Sequence, residues 1–370
     1  MAFYNCIIFI LLFFATILPD LNKIKKIRFF YVFISGLILF LIVALRSDKI
    51  GNDTIPYLRF YENILRLESL KHLNSRFEPG FIYFNKILCF FLPFKQGILI
   101  GSSFFIFFSY FYFIYKESKS VWLSIYLFIT LRYFYSTMNT IRHDLAVSIL
   151  FFAYIFLVEK KTVKFVLSVL LASSFHSIAI FFLFAYPLIY LKFNRFNIGI
   201  TLAIFLFVYI NFTNSIEFVI SFFGKYDGYL ASVYFRENLL ASFFILGINI
   251  SILVFMFYVI KFSVKKNNIT YLKQLSNSKI TESDLMLNIT FIGTMISFLA
   301  LKANILGRLS SLFITFIIVY IPNCLFMLKN SRERLIYTFA IMIATFTYHT
   351  IIFIFRPEWN YVIPYRFFWE

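Results

Sequence analysis

Apolar runs follow one another along almost the whole chain, separated by short and mostly basic connectors, and this pattern decides what the chain can fold into. They lie at about 2 to 18, 29 to 45, 97 to 115, 121 to 137, 143 to 159, 163 to 175, 178 to 191, 198 to 221, 238 to 260, 285 to 301, 307 to 328 and 334 to 355. Most approach the ~20 residues that carry a helix across hydrocarbon. Of the 370 residues, 61% are hydrophobic and 14% charged, against about 25% charged in soluble domains, and the mean hydropathy is +0.83. A chain of this size cannot hide so much apolar surface from water, so a water-soluble globular fold is excluded. The expected fold is all-α, a single polytopic membrane domain over 1–370 with about 12 (10 to 12) transmembrane helices. The runs 163 to 175 and 178 to 191 are short for a crossing and are expected as one broken helix or a re-entrant pair; the stretch 81 to 92 is similarly ambiguous. The first run lacks a basic n-region and a small-x-small site, so it reads as a membrane helix rather than a secretory signal.

A net charge of +18 would suggest nucleic acid in a soluble protein. Here the basic residues sit between apolar runs, and membrane topology accounts for them. With the N-terminus outside, 19 of the 35 basic residues fall in inside loops, as the positive-inside rule asks. These include Lys23, Lys25, Lys26 and Arg28, then Lys160, Lys161 and Lys164, and the cytoplasmic loop 261–284 with Lys265, Lys266, Lys273 and Lys279. The largest extracytoplasmic loop, 46–80, carries Tyr57, Phe60, Tyr61, Ile64, Leu65 and Leu67 at helical spacing, which predicts an interfacial amphipathic helix. Cys6, Cys89 and Cys324 show no metal-ligand or disulfide spacing and read as small buried hydrophobes. No metal and no cofactor is called for.

Ionisable groups near membrane depth are costly, and six places carry them: Arg46 with Gly51-Asn52-Asp53-Thr54; Phe77-Glu78-Pro79-Gly80-Phe81; Met138 to Asp144; Phe175-His176-Ser177; Asn304 to Arg308; and Ile363-Pro364-Tyr365-Arg366. The expected topology puts all six at the outer face. Arg142, Arg308 and Arg46 offer planar forks suited to phosphate oxygens. His176 is a candidate base for a hydroxyl proton. Asp53 and Glu78 either share that role or pair with the arginines and hold them. Against these stand plainer readings: snorkelling arginines, a satisfied structural histidine, an Asx turn at Asp53 and a helix boundary at Glu78 before Pro79. His143 and Asp144 adjoin Arg142 but point to different faces of a helix, so they read as neighbours rather than a dyad. His72 and His349 belong to no constellation.

Gly51-Asn52-Asp53 with Tyr57, Glu78-Pro79-Gly80, Asn139-Thr140-Ile141-Arg142 with Leu145-Ala146, Phe175-His176-Ser177, Gly307-Arg308-Leu309 and Pro364-Tyr365, in this order, resemble the EpsG family of bacterial membrane proteins, related to Wzy-type polysaccharide polymerases. The resemblance covers nearly the whole chain. It implies a metal-independent glycosyltransferase of the bacterial inner membrane that joins undecaprenyl-diphosphate-linked oligosaccharide repeat units at the outer face. The product would be O-antigen, capsule or exopolysaccharide. In that reading Arg142, Arg308, Arg46 and Asn139 bind the donor diphosphate, and His176, Asp53 or Glu78 deprotonates the acceptor. A chain-length regulator and a flippase are the protein partners it implies, beside membrane lipid; nucleic acid is not among them. Competing readings are another polyprenyl-linked-sugar glycosyltransferase or ligase, an O-acyltransferase of surface glycan, and a transporter or flippase, which favours midplane charges and internal symmetry that the sequence lacks.

Overall fold

The computed structural model describes residues 1–69, 75, 77–215, 217, 239–263 and 282–370. His72, most of the loop 261–284 with Lys265, Lys266, Lys273 and Lys279, and the end of the run 198 to 221 lie outside the described residues. Among those described the architecture is all-helical, with a lone antiparallel bridge between Arg46 and Phe367 and no strand. Six helices are long and apolar enough to cross a membrane: Lys25–Ala44, Gly97–Glu117, Ile141–Val158, Leu239–Lys261, Leu306–Met327 and Ser331–Phe355. Six shorter apolar helices accompany them. Large apolar side chains such as Phe13 (68% exposed), Phe90 (82%) and Phe207 (66%) stand on the surface, as lipid rather than water allows. The chain is therefore a membrane protein.

The described residues form two compact units, 1–180 with 330–370, and 181–329. In the first, α1 (Ala2–Ile17), α2 (Lys25–Ala44), α3 (Thr54–Arg66), α4 (Pro79–Phe91), α5 (Gly97–Glu117) and α6 (Val121–Thr130) lead through a short turn, α7 (Tyr133–Ser136), to the hairpin of α8 (Ile141–Val158) and α9 (Thr162–Phe175). The expected run 121 to 137 is not one helix. It breaks at Arg132, whose φ of +72° is left-handed, and there the guanidinium donates to Asn360 Oδ1 and lies over the Tyr135 and Phe353 rings at 5.1 and 4.6 Å. Three aromatic-rich helices, α5, α6 and α8, supply most of this unit's core through pairs such as Phe113–Phe151 and Tyr110–Phe128, with ring centroids 4.4 and 4.8 Å apart.

The second unit holds α10 (Ala185–Leu188), α11 (Arg195–Ile210), α12 (Leu239–Tyr258), α13 (Glu282–Leu299), α14 (Leu306–Ile314) and α15 (Ile317–Met327). Helix α13 is its centre, packed against α10, α11, α12 and α14. Gly293 permits the approach of α14: a Cβ there would sit 2.7 Å from Ile314 Cγ1. The first unit closes with α16 (Ser331–Phe355) and the segment 356–370.

Candidate functional site

The turn at Glu159–Lys161 fixes the site's geometry. Arg142 and His176 each lie about 17 residues from it, roughly 25 Å of helix, so an antiparallel pair returns both to one end. Arg142 then sits in the first turn of α8 and His176 just past the last residue of α9, where the chain turns extended. Glu78, immediately before Pro79 at the start of α4, reaches both. One carboxylate oxygen accepts from Arg142 Nη1 at 2.5 Å. The other lies 3.5 Å from His176 Nδ1 and accepts from the backbone N–H of Ser177 at 3.2 Å. Side-chain exposures of 20%, 15% and 12% for Arg142, Glu78 and His176 leave the cluster sheltered but not sealed.

The surroundings tune it. Burial works to raise the Glu78 carboxyl, but the contact from His176 and the Arg142 charge outweigh it and hold the group at about 2. Arg142 also lies 4.6 Å over the Phe77 ring, a cation–π contact, and interacts with the Tyr57 hydroxyl. Tyr57 is in turn within the electrostatic reach of Asp53. Helix α3 thus supplies a wall to the site: its buried Tyr57, Phe60 and Tyr61 face inward, and Phe60 meets Phe77 edge-on at 4.4 Å. The helical spacing read over 57 to 67 corresponds to this helix, with its apolar side turned to Phe77 and Phe81.

Gly80 sets the distance between α4 and α9. A Cβ at Gly80 would fall 2.1 Å from Ser174 Oγ and 2.7 Å from Ser174 O, closer than atoms can pack. Glu78 lies two residues before Gly80 and His176 two residues after Ser174, so this contact controls the carboxylate–imidazole separation. Gly80→Ala should force the helices apart, destabilising the contact by about 1–3 kcal/mol. Ser174→Ala in the same chain should restore part of the loss, as read by thermal unfolding of the purified protein.

The other expected residues take different places. Arg46 is wholly buried; its guanidinium donates to the carbonyls of Val43 and Met138, and burial pushes it down to about 10. It ties the end of α2 to the segment before α8 rather than presenting an open fork. Asn139 does the same, accepting from Asn52 N at 2.7 Å and donating to Tyr135 O at 2.9 Å. Gly51, at φ +88°, leaves no room for a Cβ against Met138 O, 2.3 Å away. The segment 361–368 straps this loop through Gly51 N to Tyr361 O, Ser47 N to Arg366 O and Phe368 N to Leu45 O. Asp53 precedes α3 but its side chain makes no capping hydrogen bond, so the Asx-turn reading does not account for it. Five of the six polar places are linked within the first unit; the sixth, with Arg308, belongs to the second.

His143 was set aside in the sequence as a neighbour, yet its ring stands at 86° to that of His176 with centroids 5.5 Å apart. The separation of His143 from Asp144 holds: Asp144 is buried and accepts from Thr140 Oγ1 at 2.7 Å and Ser136 Oγ at 3.3 Å. Arg132 also escaped the sequence reading, because a basic residue within an apolar run gave no sign of a helix break. Among the described residues no group of three or more His, Cys, Asp or Glu side chains is arranged to hold a metal ion.

Fold and site together define a polytopic helical membrane protein with a carboxylate-anchored Arg–His cluster at its helix ends. Residues 29–367 match the sequence model of the EpsG family, and the chain belongs to that family. Neither the comparison with curated proteins nor that with solved structures gave a match.

Proposed function

We propose that this protein is a surface-polysaccharide polymerase, joining undecaprenyl-diphosphate-linked repeat units at the outer face of the cytoplasmic membrane. The observation that carries the reading is the single carboxylate, Glu78, contacting both a guanidinium and an imidazole, in a chain whose family membership points to polysaccharide work at a membrane. In the reaction, an acceptor hydroxyl oxygen attacks the anomeric carbon of the donor sugar while the bond from that carbon to the diphosphate breaks. His176, with Nδ1 3.5 Å from Glu78, takes the hydroxyl proton. The diphosphate leaves with the bonding electron pair, and Arg142 meets the charge as it develops, the term that usually contributes most to catalysis. The starts of α4 and α8 place two positive helix ends near the same anion.

Between the alternative roles for Glu78, the geometry favours holding the cation and orienting the imidazole. A carboxylate held at about 2 is too weak a base for a sugar hydroxyl. Asp53 is the alternative base, and Arg308 is a further anion-binding side chain. A flippase would supply the lipid-linked units, and a chain-length regulator would act on the same product.

Deleting the gene should remove the surface-glycan ladder while leaving a band of one repeat unit, and a plasmid copy should restore the ladder. Loss of every repeat-unit band would assign the protein to an earlier sugar transfer or to export, and an unchanged ladder would end the polymerase reading.

A further inference from the structure

Two imidazoles meet at the end of the α8–α9 hairpin. His143, one residue after Arg142 in the first turn of α8, is 6% exposed, and its ring stands at 86° to that of His176 with the centroids 5.5 Å apart. That is an edge-to-face contact, within the ~4.5–7 Å at which flat rings pair. The turn that carries His143 is held from another side. Buried Asp144 accepts from Thr140 Oγ1 at 2.7 Å, Ser136 Oγ at 3.3 Å and the Tyr110 hydroxyl at 3.5 Å. Successive helical residues point about 100° apart, so these bonds fix the start of α8 while His143 is turned to His176.

The His176 ring gains an orientation from this contact that its own backbone does not supply. It follows the last residue of α9 at φ −151° and ψ 110°, outside the helical geometry, and the torsion that turns an imidazole about its Cβ–Cγ bond has broad wells. Glu78 Oε1 approaches the ring at one nitrogen. At 3.5 Å it is farther than the ~2.7–3.2 Å of a firm hydrogen bond, so this approach does not set the plane of the ring. A sheltered flat neighbour at right angles does, because turning the His176 ring drives its atoms into the ring of His143. We infer that His143 is a positioning residue whose ring sets the plane of the His176 imidazole. The consequence for the reaction rests on the polymerase reading, in which that imidazole takes the acceptor proton; the ring contact does not. Such a role asks for a flat ring rather than for a hydrogen bond. His143→Phe keeps the ring, and His143→Gln keeps hydrogen-bonding capacity without it.

The whole protein, labelled with ¹³C in histidine and held in nanodiscs of zwitterionic lipid, carries four histidines, so each imidazole signal is assigned by substitution. Wild type and His143→Phe should give one sharp His176 signal, and His143→Gln a broadened or split one. In cells, His143→Gln should shorten the surface-glycan ladder, with extension slowed up to about 10²-fold as alignment is lost, and His143→Phe should restore it. A sharp His176 signal in His143→Gln, or a broadened one in folded His143→Phe, would overturn the inference. A full ladder from His143→Gln beside a broadened signal would overturn its part in the reaction. If His143→Phe is not recovered folded, the His176 signal of His143→Gln decides alone. The spectra are read without turnover. A deletion strain that keeps its ladder would therefore remove the polymerase reading and leave the ring contact standing, while an unchanged His176 signal in His143→Gln would do the reverse.

Discussion

Arg142→Ala should reduce the surface glycan to single repeat units while leaving the protein in the membrane. Two effects add. The first is chemical: Arg142 is the guanidinium of the cluster, and removing one such donor from a sheltered site costs about 10²- to 10³-fold in rate, or about 2.7–4 kcal/mol. On the polymerase reading, a hundredfold slower extension collapses the ladder to its lowest band. The second is structural. Glu78 would keep His176 and the Ser177 N–H as partners but lose its guanidinium in a sheltered place, where an unpaired charge is destabilising. Arg142→Lys should rescue little, because an ammonium cannot span Glu78 and a phosphate with two parallel donors. A double variant, Arg142→Ala with Glu78→Gln, separates the effects: it should regain stability and still make no polymer. The check is a glycan gel beside an immunoblot of the membrane fraction. A normal ladder from Arg142→Ala would remove this residue from the reaction.

Much of this site could be seen in the sequence because membrane helices restrict where polar residues can lie. Once the turn at Glu159–Lys161 is placed, Arg142 and His176 must meet, and both were singled out for their position at the ends of apolar runs. Glu78 was found with its two roles undecided, since sequence spacing cannot show which of several arginines a carboxylate reaches. Arg46 and Asn139 carried the same signal as Arg142. Their side chains nevertheless turn to main-chain groups of neighbouring segments, and a buried guanidinium that satisfies carbonyls looks in sequence like one that awaits phosphate. His143 was missed for a geometric reason. Successive helical residues diverge by about 100°, which argues against a shared site, but a ligand cluster spread around the first turn of α8 can be lined from both directions. Arg132 shows the limit of hydropathy: the run 121 to 137 stays apolar through the point where the backbone turns left-handed.

Glu78→Gln tests the remaining link, between the carboxylate and the two groups it holds. The substitution keeps size and shape while removing the carboxylate charge, so the ion pair with Arg142 becomes a hydrogen bond from a charged guanidinium to a neutral amide oxygen and His176 loses its anionic neighbour. If Glu78 serves to position these groups, polymerisation should fall about 10²- to 10⁴-fold, the range of a lost acid–base function, although Glu78 itself moves no proton. Glu78→Asp should recover only part, because a shorter side chain cannot reach α8 and α9 together. The pH dependence of stability gives a readout independent of turnover. The folded carboxyl is held at about 2 against an ordinary 4.5, so its contribution is complete above 4.5 and disappears as the pH falls towards 2. The difference amounts to about 3 kcal/mol at most, less where the open side of the cluster screens it. Thermal unfolding of the purified protein should therefore show wild type losing stability between pH 4.5 and 2 relative to Glu78→Gln, with a constant gap above that window. A gap unchanged down to pH 2 would mean that the carboxylate is not held as the structure places it, and full polymerisation by Glu78→Gln would leave His176 to orient itself.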